Sequence, residues 1–208
     1  MITVGLCGGI GAGKSVAEAA FAASGIPTVD ADCIYHEMIA SPSPLTALLA
    51  ERFGSRILAS DGGVNRASLA ELVFTGADAE GLRAELNRIT HGAVLAECRR
   101  WLDERRKEGA AAAIVSAPLL FESGFAAECD IRIAVLAPEE ARLARIMARD
   151  GSSRAAAERR MAAQHDDAFL LANTEYQLRN DGTVSDLEDK VRDLSRIILK
   201  IAEEKKHG

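Results

Sequence analysis

One short segment limits what this chain can fold into, and it reads Gly8-Gly9-Ile10-Gly11-Ala12-Gly13-Lys14-Ser15. It matches the pattern G-x-x-x-x-G-K-[ST], in which a glycine-rich loop joins a β-strand to an α-helix and surrounds phosphate groups. Glycines let the backbone curl so that successive N–H groups point at phosphate oxygens, and the following helix directs its positive end at the same anion. We therefore predict a nucleotide site in which Lys14 reaches the β- and γ-phosphates and the Ser15 hydroxyl binds Mg²⁺.

The sequence around this segment indicates a parallel α/β sheet. Ile2, Val4 and Leu6 predict a short strand before the loop, and the chain after Lys14 favours a helix up to Gly25. A strand, a loop, a helix and a second strand in this order are typical of a parallel sheet that is covered on both faces. The later strands are predicted at 26–29, 112–115, 131–136 and 176–178.

Helical patterns fill the segments between these strands. Helices are predicted at about 45–53 and 66–74, and apolar residues in steps of three and four predict a long helical stretch over 79–106. Gly92 is expected to split this stretch into two helices. The segment from about 36 to 108 is long for one connection, so we predict a helical subdomain beside the sheet. The stripe over 79–106 consists of Leu82, Leu86, Ile89, Ala93 and Ala96, and a second stripe near the C-terminus consists of Leu187, Val191, Leu194, Ile198 and Ile201.

Composition excludes several classes of protein. Of the 208 residues, 48% are hydrophobic and 27% charged, which is typical of a globular chain and not of a disordered one. The net charge of −6 argues against general binding to nucleic-acid backbones. No stretch of about 18 apolar residues predicts a membrane span. The first residues show no basic leader and the four cysteines are scattered, so we expect a cytoplasmic protein with buried thiols and without disulfides or a Cys–His metal site.

Two carboxylates, Asp30 and Asp32, follow the second predicted strand. In sheets of this kind ligands bind at the carboxyl ends of the strands. Phosphoryl transfer to an alcohol requires a group that orients the hydroxyl and can accept its proton. If the strand continues through Asp32, both acids share one face, and the alternative is that one of them caps the next helix. We predict the catalytic role for Asp32, with Asp30 as the second candidate.

Basic residues recur at helical spacing further along the chain. Arg142, Arg145 and Arg149 are three and four residues apart, which places them on one face of a helix. Guanidinium groups suit phosphate oxygens, so this face predicts a lid over the transferred phosphoryl group. The alternative is an ordinary solvated face that is paired with neighbouring acids. A second basic segment contains Arg154, Arg159 and Arg160 and is followed by Gln164.

An apolar segment that ends in an acid follows the third predicted strand, and it reads Pro118-Leu119-Leu120-Phe121-Glu122. Its place after a strand puts it at the edge of the sheet where ligands bind. We predict that it forms a wall of the pocket for the phosphoryl acceptor. The alternative is a core loop whose glutamate caps a helix.

Taken together, these segments resemble the dephospho-coenzyme A kinase family. Their matches to the family run in the same order across nearly the whole chain, which is far more specific than the glycine-rich loop alone. Val16 departs from the family pattern, which usually has threonine or serine there. The resemblance rests on the loop Gly8–Ser15, the Asp-Ala-Asp at 30–32, His91, the block Pro118–Glu122, the arginine-containing segment Arg145–Asp150, the pair Arg160 and Gln164, and Asn180-Asp181-Gly182.

The resemblance implies a P-loop kinase fold in one domain over residues 1–208. This fold has a five-stranded parallel sheet flanked by helices, with a helical acceptor-binding insertion and an arginine lid. The core is expected at about 1–35, 109–138 and 173–204, the insertion at about 36–108 and the lid at about 139–172.

The resemblance also implies an activity, which is Mg²⁺-dependent transfer of a phosphoryl group from ATP to the ribose 3′-hydroxyl of dephospho-coenzyme A. This is the last step of coenzyme A synthesis. Asp32 would orient or deprotonate the hydroxyl, and Lys14 and Arg145 would stabilise the charge of the transferred group. ATP and dephospho-coenzyme A are the expected partners of a monomer that binds neither nucleic acid nor membrane. The implied ATP-binding residues are Gly9, Gly11, Ala12, Gly13, Lys14, Ser15, Val16, Arg145, Arg149, Asn180 and Gly182, with 180–182 at the adenine, and the implied acceptor-binding residues are Asp32, His91, Pro118, Leu119, Leu120 and Glu122.

Two other classes of protein are compatible with the glycine-rich loop. One is another small-molecule kinase on the same scaffold, of the nucleoside monophosphate or shikimate type. The other is a switch-type GTPase or a binding module. Against the GTPase, the chain has no Asn-Lys-x-Asp segment to bind guanine and no D-x-x-G segment after a predicted strand.

Overall fold

The computed structural model describes residues 1–75 and 78–207, with His207 described without its side chain. Its strands form a five-stranded sheet in the order β2-β3-β1-β4-β5, and the pairs β1–β3, β1–β4 and β4–β5 are parallel. The predicted parallel α/β fold is confirmed, and each strand ends within two residues of its predicted bounds. The strands are β1 (Ile2–Gly8), β2 (Thr28–Asp30), β3 (Ala112–Ser116), β4 (Ile131–Leu136) and β5 (Tyr176–Arg179).

Helices connect the strands and follow the last one. No helix in the described part of the chain is both long enough and apolar enough to cross a membrane. Two 3₁₀ turns lie at Ser55–Ile57 and Phe125–Glu128. The helices are α1 (Lys14–Ala23), α2 (Ala31–Ala40), α3 (Pro44–Phe53), α4 (Arg66–Phe74), α5 (Ala79–Lys107), α6 (Glu139–Asp150), α7 (Arg154–Ala162), α8 (Asp167–Asn173) and α9 (Val184–His207).

The chain divides into two units, of which the first comprises residues 1–29 and 102–208. Its core is built around the central strand β1. Val4 of β1 pairs in register with Ile114 of β3 and Ile131 of β4. Val4 is completely buried, as expected for a parallel strand covered on both faces. The predicted stripe on the C-terminal helix is confirmed, because Leu187, Val191, Leu194 and Ile198 of α9 are all buried in this core.

The second unit comprises residues 30–101 and is helical after the end of β2. It has its own apolar cluster, which includes Leu49 and Phe53 of α3 and Val73 of α4. Helix α3 begins with a capping box in which Ser43 and Thr46 each bind the other's backbone N–H, followed by Pro44 in the first turn. The helical segment predicted at about 36–108 and this unit share residues 36–101.

Helix α5 corrects one prediction, because it continues through Gly92 without a break. The predicted stripe is also displaced at its end, where Ala96 is exposed and Val94 and Cys98 are buried instead. A stripe that repeats every seven residues drifts by about 20° per heptad around an α-helix, so the buried face moves to other positions along a long helix. Packing of this face outweighs the weak helix propensity of one glycine.

We expect Gly92→Ala to stabilise the protein by about 1 kcal/mol, because alanine is the better residue inside a helix. A methyl group at this position meets nothing within 4 Å. Gly109, just beyond α5, is the matched control, since its surroundings are equally open but its φ is +83°. Gly109→Ala is expected to destabilise by about 1 kcal/mol. Urea unfolding of the two variants measures both effects, and a destabilised Gly92→Ala would contradict the expectation.

Candidate active site

The loop between β1 and α1 has the backbone conformation that its glycines predict. Gly13 precedes α1 with a φ of +101°, in the left-handed region. A methyl group on Gly13 would overlap the side-chain amide of Asn180, and one on Gly9 would overlap the guanidinium of Arg142. Glycine is therefore required at position 13, where φ is also left-handed, while a side chain at position 9 would displace the Arg142 guanidinium. Because α1 begins at Lys14, the positive end of this helix lies at the loop, where it favours an anion.

Asn180 supports the loop from the end of β5. Its side chain is buried, and Nδ2 donates a 2.8 Å hydrogen bond to the carbonyl oxygen of Ala12. Its backbone N–H donates to the carbonyl of Leu136 at the end of β4. The resemblance implied a contact of Asn180 with the adenine, whereas its side chain contacts the glycine-rich loop Gly8–Ser15, called the phosphate loop below.

We expect Asn180→Ala to destabilise the protein by about 1–3 kcal/mol and to weaken ATP binding, because the Ala12 carbonyl loses a buried donor. Asn173 offers a matched control, since its Nδ2 also donates over 2.8 Å to a main-chain carbonyl, that of Phe169, but from an exposed position. Asn173→Ala should change both quantities little. Urea unfolding and equilibrium ATP binding test this pair, and equal effects of the two variants would contradict the role of Asn180.

Three side chains from the predicted lid contact the same loop. In α6, Arg142 Nε donates to the carbonyl of Ile10 over 3.0 Å, and Arg145 Nη1 donates to the carbonyl of Gly11 over 3.0 Å. Between α7 and α8, Gln164 Oε1 accepts a 2.7 Å hydrogen bond from the Ile10 N–H. Two members of the predicted arginine face therefore reach the loop, and they hold its carbonyl oxygens.

The third member of that face, Arg149, has a different partner. Its Nε and Nη2 both donate to Asp150, over 2.7 and 3.0 Å, and Arg160 of α7 donates to the same carboxylate. The two guanidinium groups hold the pKa of Asp150 well below its usual range. Arg149 thus takes part in the connection between α6 and α7, and its contact with ATP stays a prediction.

Lys14 lies in a small polar cluster beside the loop. Its Nζ is 2.7 Å from Glu18 Oε1 and donates a 2.6 Å hydrogen bond to Ser116 Oγ at the end of β3. The Ser116 hydroxyl also contacts the Glu18 carboxylate. The lysine ammonium is thereby held at a defined place next to the phosphate loop.

The structure corrects the expectation for the two aspartates. Strand β2 ends at Asp30, and Asp32 lies in the first turn of α2, so the two acids do not share the face of a strand. Asp30 is the N-cap residue of α2, and its Oδ1 accepts a 2.9 Å hydrogen bond from the Asp32 N–H. The alternative reading of one acid as a cap is therefore correct for Asp30. Asp32 is exposed, and a carboxylate in the first turn stabilises a helix.

The segment 118–122 forms a turn after β3 with alternating exposure. Leu120 is completely buried and Leu119 is 41% exposed, while Pro118 is half-buried. Glu122 is exposed, with Oε1 3.5 Å from Nε2 of His165. Leu120 therefore contributes its side chain to the core, Leu119 is exposed on the surface, and Pro118 and Glu122 line a small cavity together with Gly8 and Gly9.

The other predicted site residues lie in three places. Val16 is partly buried and packs against the core of the first unit, so its side chain replaces a hydroxyl by apolar packing. Gly182 is exposed just before α9. His91 is half-buried on α5 in the second unit.

The cysteines are not arranged for chemistry at this site. Burial raises the pKa of the thiols of Cys7 and Cys129 to about 12 and that of Cys98 to about 11, so these three stay protonated at neutral pH. Cys33, on α2, is exposed, and the expectation of buried thiols is wrong for this residue. The four cysteines all lie in the described part of the chain, and none forms a disulfide.

Comparison with known proteins assigns the chain to a family. A model of the dephospho-CoA kinase family matches residues 2–186. The chain belongs to the dephospho-CoA kinase family. A dephospho-CoA kinase from Syntrophotalea carbinolica is 37% identical over 191 residues, which cover 92% of this chain and 89% of that protein. One from Corynebacterium glutamicum is 34% identical over 199 residues, which cover 96% of this chain and 98% of that protein.

Solved structures share the fold of this chain. The Thermus thermophilus protein TT1252 has a TM-score of 0.69 at 29% identity, covering 96% of this chain and 97% of that one. A dephospho-CoA kinase from Campylobacter jejuni has a TM-score of 0.63 at 24% identity, over 94% and 96% of the two chains. A shikimate kinase from Acinetobacter baumannii, at 15% identity and a TM-score of 0.51 over 99% and 95%, shares only the fold. Family membership therefore favours the dephospho-CoA kinase reading over the shikimate and nucleoside monophosphate kinases.

The groups beside the loop of this dephospho-CoA kinase family member fit a magnesium ion. The Ser15 hydroxyl, the Glu18 carboxylate and the Ser116 hydroxyl are oxygen donors, which Mg²⁺ prefers. In the described ranges there is no cluster of three or more His, Cys, Asp or Glu residues that could enclose a metal.

Several residues of the site were not selected from the sequence. Glu18 follows Lys14 by four residues in a predicted helix, and this spacing was a usable signal for an ion pair. Ser116 is the one hydroxyl residue in the apolar strand β3, which was a weaker signal. Arg142 was recognised as part of the arginine face but not as a residue of the loop support. Its partner Ile10 is 132 residues away in the chain, and no sequence pattern connects the two.

Proposed function

We propose that this protein transfers the γ-phosphoryl group of ATP to the ribose 3′-hydroxyl of dephospho-coenzyme A, giving coenzyme A and ADP. The observation that carries the proposal is the match of the dephospho-CoA kinase family model to residues 2–186, and the glycine-rich loop before α1 supports it. In the reaction a bond forms between the 3′-oxygen and the γ-phosphorus, and the bond between that phosphorus and the bridging oxygen of ADP breaks. The hydroxyl proton is released to a base.

On the ATP side, backbone N–H groups of the loop and the positive end of α1 bind the phosphates. Lys14 donates to the β- and γ-phosphates, and Arg145, which already contacts the Gly11 carbonyl, stabilises the charge of the transferred group. Both cations act by electrostatic stabilisation, which accounts for most of the catalysis of phosphoryl transfer. The full set proposed for ATP is Gly9, Gly11, Ala12, Gly13, Lys14, Ser15, Val16, Arg145, Arg149, Asn180 and Gly182.

Mg²⁺ completes the ATP site in this proposal. When bound, the ion neutralises part of the phosphate charge and makes the γ-phosphorus easier to attack. Ser15, in the first turn of α1, is the proposed protein ligand, and it is an exposed residue.

On the acceptor side, Asp32 is the proposed group that orients the 3′-hydroxyl and accepts its proton. It lies two residues after the end of β2, in the first turn of α2, and it is exposed to solvent. Its N–H group is bound by the capping Asp30, which holds the backbone of the first turn of α2 in place. The full set proposed for the acceptor is Asp32, His91, Pro118, Leu119, Leu120 and Glu122, in which Leu120 acts through its backbone position.

We also propose that the protein works as a cytoplasmic monomer, with the helical segment at about 36–108 binding the acceptor and the segment at about 139–172 acting as the lid. Neither nucleic acid nor a membrane is a proposed partner. The net charge of −6 argues against nucleic-acid backbones as partners. Gel filtration with light scattering measures the oligomeric state, and a dimer in solution would contradict the proposed monomer.

Release of ADP from ATP in the presence of Mg²⁺ tests the proposed reaction. Dephospho-coenzyme A, shikimate and nucleoside monophosphates are offered separately as acceptors. Stimulation by dephospho-coenzyme A alone, with coenzyme A as the product in mass spectrometry, is the expected result. Stimulation by another acceptor would keep the kinase chemistry and overturn the acceptor, and no stimulation by any of them would overturn the proposed reaction.

A further inference from the structure

The Lys14 cluster combines full charges with little exposure to water. The side chains of Lys14 and Glu18 are each 15% exposed, and Ser116 is completely buried. An ammonium group only donates, so Ser116 Oγ accepts from Lys14 and directs its own hydrogen to the Glu18 carboxylate. The carboxylate thus receives hydrogen bonds from both partners. The arrangement neutralises the cation that the phosphate loop offers to a nucleotide.

This neutralisation has a consequence for the form of ATP that binds. Metal-free ATP is more negative than its magnesium complex, and a carboxylate beside the loop repels the more negative ligand more strongly. It also competes with the phosphates for the Lys14 ammonium. A ligand that carries its own divalent cation offsets both effects, because the carboxylate then has a second cation to attract.

Glu18 is also close along α1 to the proposed magnesium ligand. It follows Ser15 by three residues and Lys14 by four, so all three side chains lie on one side of the helix. Ser116, at the end of β3, extends the same set of oxygen atoms. A carboxylate and a buried hydroxyl next to each other favour a cation, and in this structure the cation is the Lys14 ammonium.

We propose that Glu18 and Ser116 form a pair that selects the magnesium complex of ATP over metal-free ATP. The pair holds the Lys14 ammonium until the nucleotide brings a divalent cation to the loop. Glu18 is thus a positioning residue for Lys14 and a determinant of metal dependence. The proposal rests on the proposed function only in taking ATP as the nucleotide, and it is independent of the acceptor.

Calorimetric titration of the full chain with ATP, with Mg²⁺ and with a chelator at equal ionic strength, tests the proposal. The quantity compared is the dissociation constant of metal-free ATP divided by that of the magnesium complex. In Glu18→Gln, which keeps the shape of the side chain, we expect this ratio to fall about tenfold, mainly because metal-free ATP binds more tightly. Ser116→Ala should lower the ratio about threefold, because the hydroxyl that binds both Lys14 and the Glu18 carboxylate is lost while their direct contact stays.

Two further variants separate this role from a structural one. Glu18→Asp keeps the charge and is expected to recover most of the wild-type ratio. Glu188→Gln removes one exposed carboxylate from α9 and should leave the ratio unchanged. A Glu18→Gln protein that binds both forms of ATP equally less tightly would show a merely structural role and overturn the proposal, as would an unchanged ratio. If the wild type itself binds no ATP in either condition, the proposed kinase function is overturned instead.

Discussion

Replacing Lys14 by alanine is expected to lower kcat for the proposed reaction about a thousandfold, because the γ-phosphoryl group loses its nearest side-chain cation. The ammonium is held by Glu18 and Ser116, so its position is defined before the nucleotide binds. Such preorganised charge is the largest source of catalysis in phosphoryl transfer. Initial rates of ADP release at saturating ATP and dephospho-coenzyme A measure the effect.

The controls for this variant address the charge that it leaves behind. Lys14→Ala removes the partner of Glu18 and leaves a largely buried carboxylate, which destabilises a protein in its own right. The double variant Lys14→Ala with Glu18→Gln removes that carboxylate charge, and it should be as slow as the single variant while unfolding closer to the wild type. Lys200→Ala, on the exposed face of α9, should keep full activity. Turnover near the wild-type rate in Lys14→Ala would contradict the phosphate-loop assignment.

The sheet was predictable because its signals are local. Each strand is a short apolar run, and the first one leads into a glycine-rich turn whose spacing is specific. Gly92 shows where local signals fail, since a glycine predicts a break but the buried face on both sides of it keeps α5 continuous. Asp30 and Asp32 show a second limit, because strand ends are uncertain by a few residues and the strand stops one residue after Val29.

The sequence predicted which residues form the candidate site but not the contacts that hold them. Residues Gly8–Ser15 follow a pattern whose spacing is set by the geometry of phosphate binding, so their place needed no knowledge of the rest of the chain. The supports of the loop come from far away, with Gln164 bound to Ile10 across 154 positions and Asn180 to Ala12 across 168. A single sequence contains no information on such pairs. The Lys14–Glu18 pair, in contrast, could be predicted from the sequence, because its two residues are four positions apart on one helix.

In the proposed mechanism the acceptor side depends on one exposed carboxylate, that of Asp32, and Asp32→Asn is expected to lower kcat by a factor on the order of 10³. Asparagine has the same shape and still accepts a hydrogen bond, but it cannot take the proton of the 3′-hydroxyl. ATP binding should change little, because Asp32 lies on α2 and not in the phosphate loop. Stability should fall by less than about 1 kcal/mol, the usual contribution of an acid in the first turn of a helix. Initial rates, ATP titration and urea unfolding measure the three quantities.

Two neighbours of Asp32 make the test specific. Asp30→Asn keeps the helix cap, since asparagine caps as well as aspartate, and it should retain most of the activity if Asp30 serves only as the cap. Glu37→Gln removes one exposed charge from the same helix and should leave kcat unchanged. A slow Asp30→Asn beside an active Asp32→Asn would move the base to Asp30. If both aspartate variants turn over at the wild-type rate, neither carboxylate takes the proton, because general base catalysis by a carboxylate cannot survive its replacement by an amide.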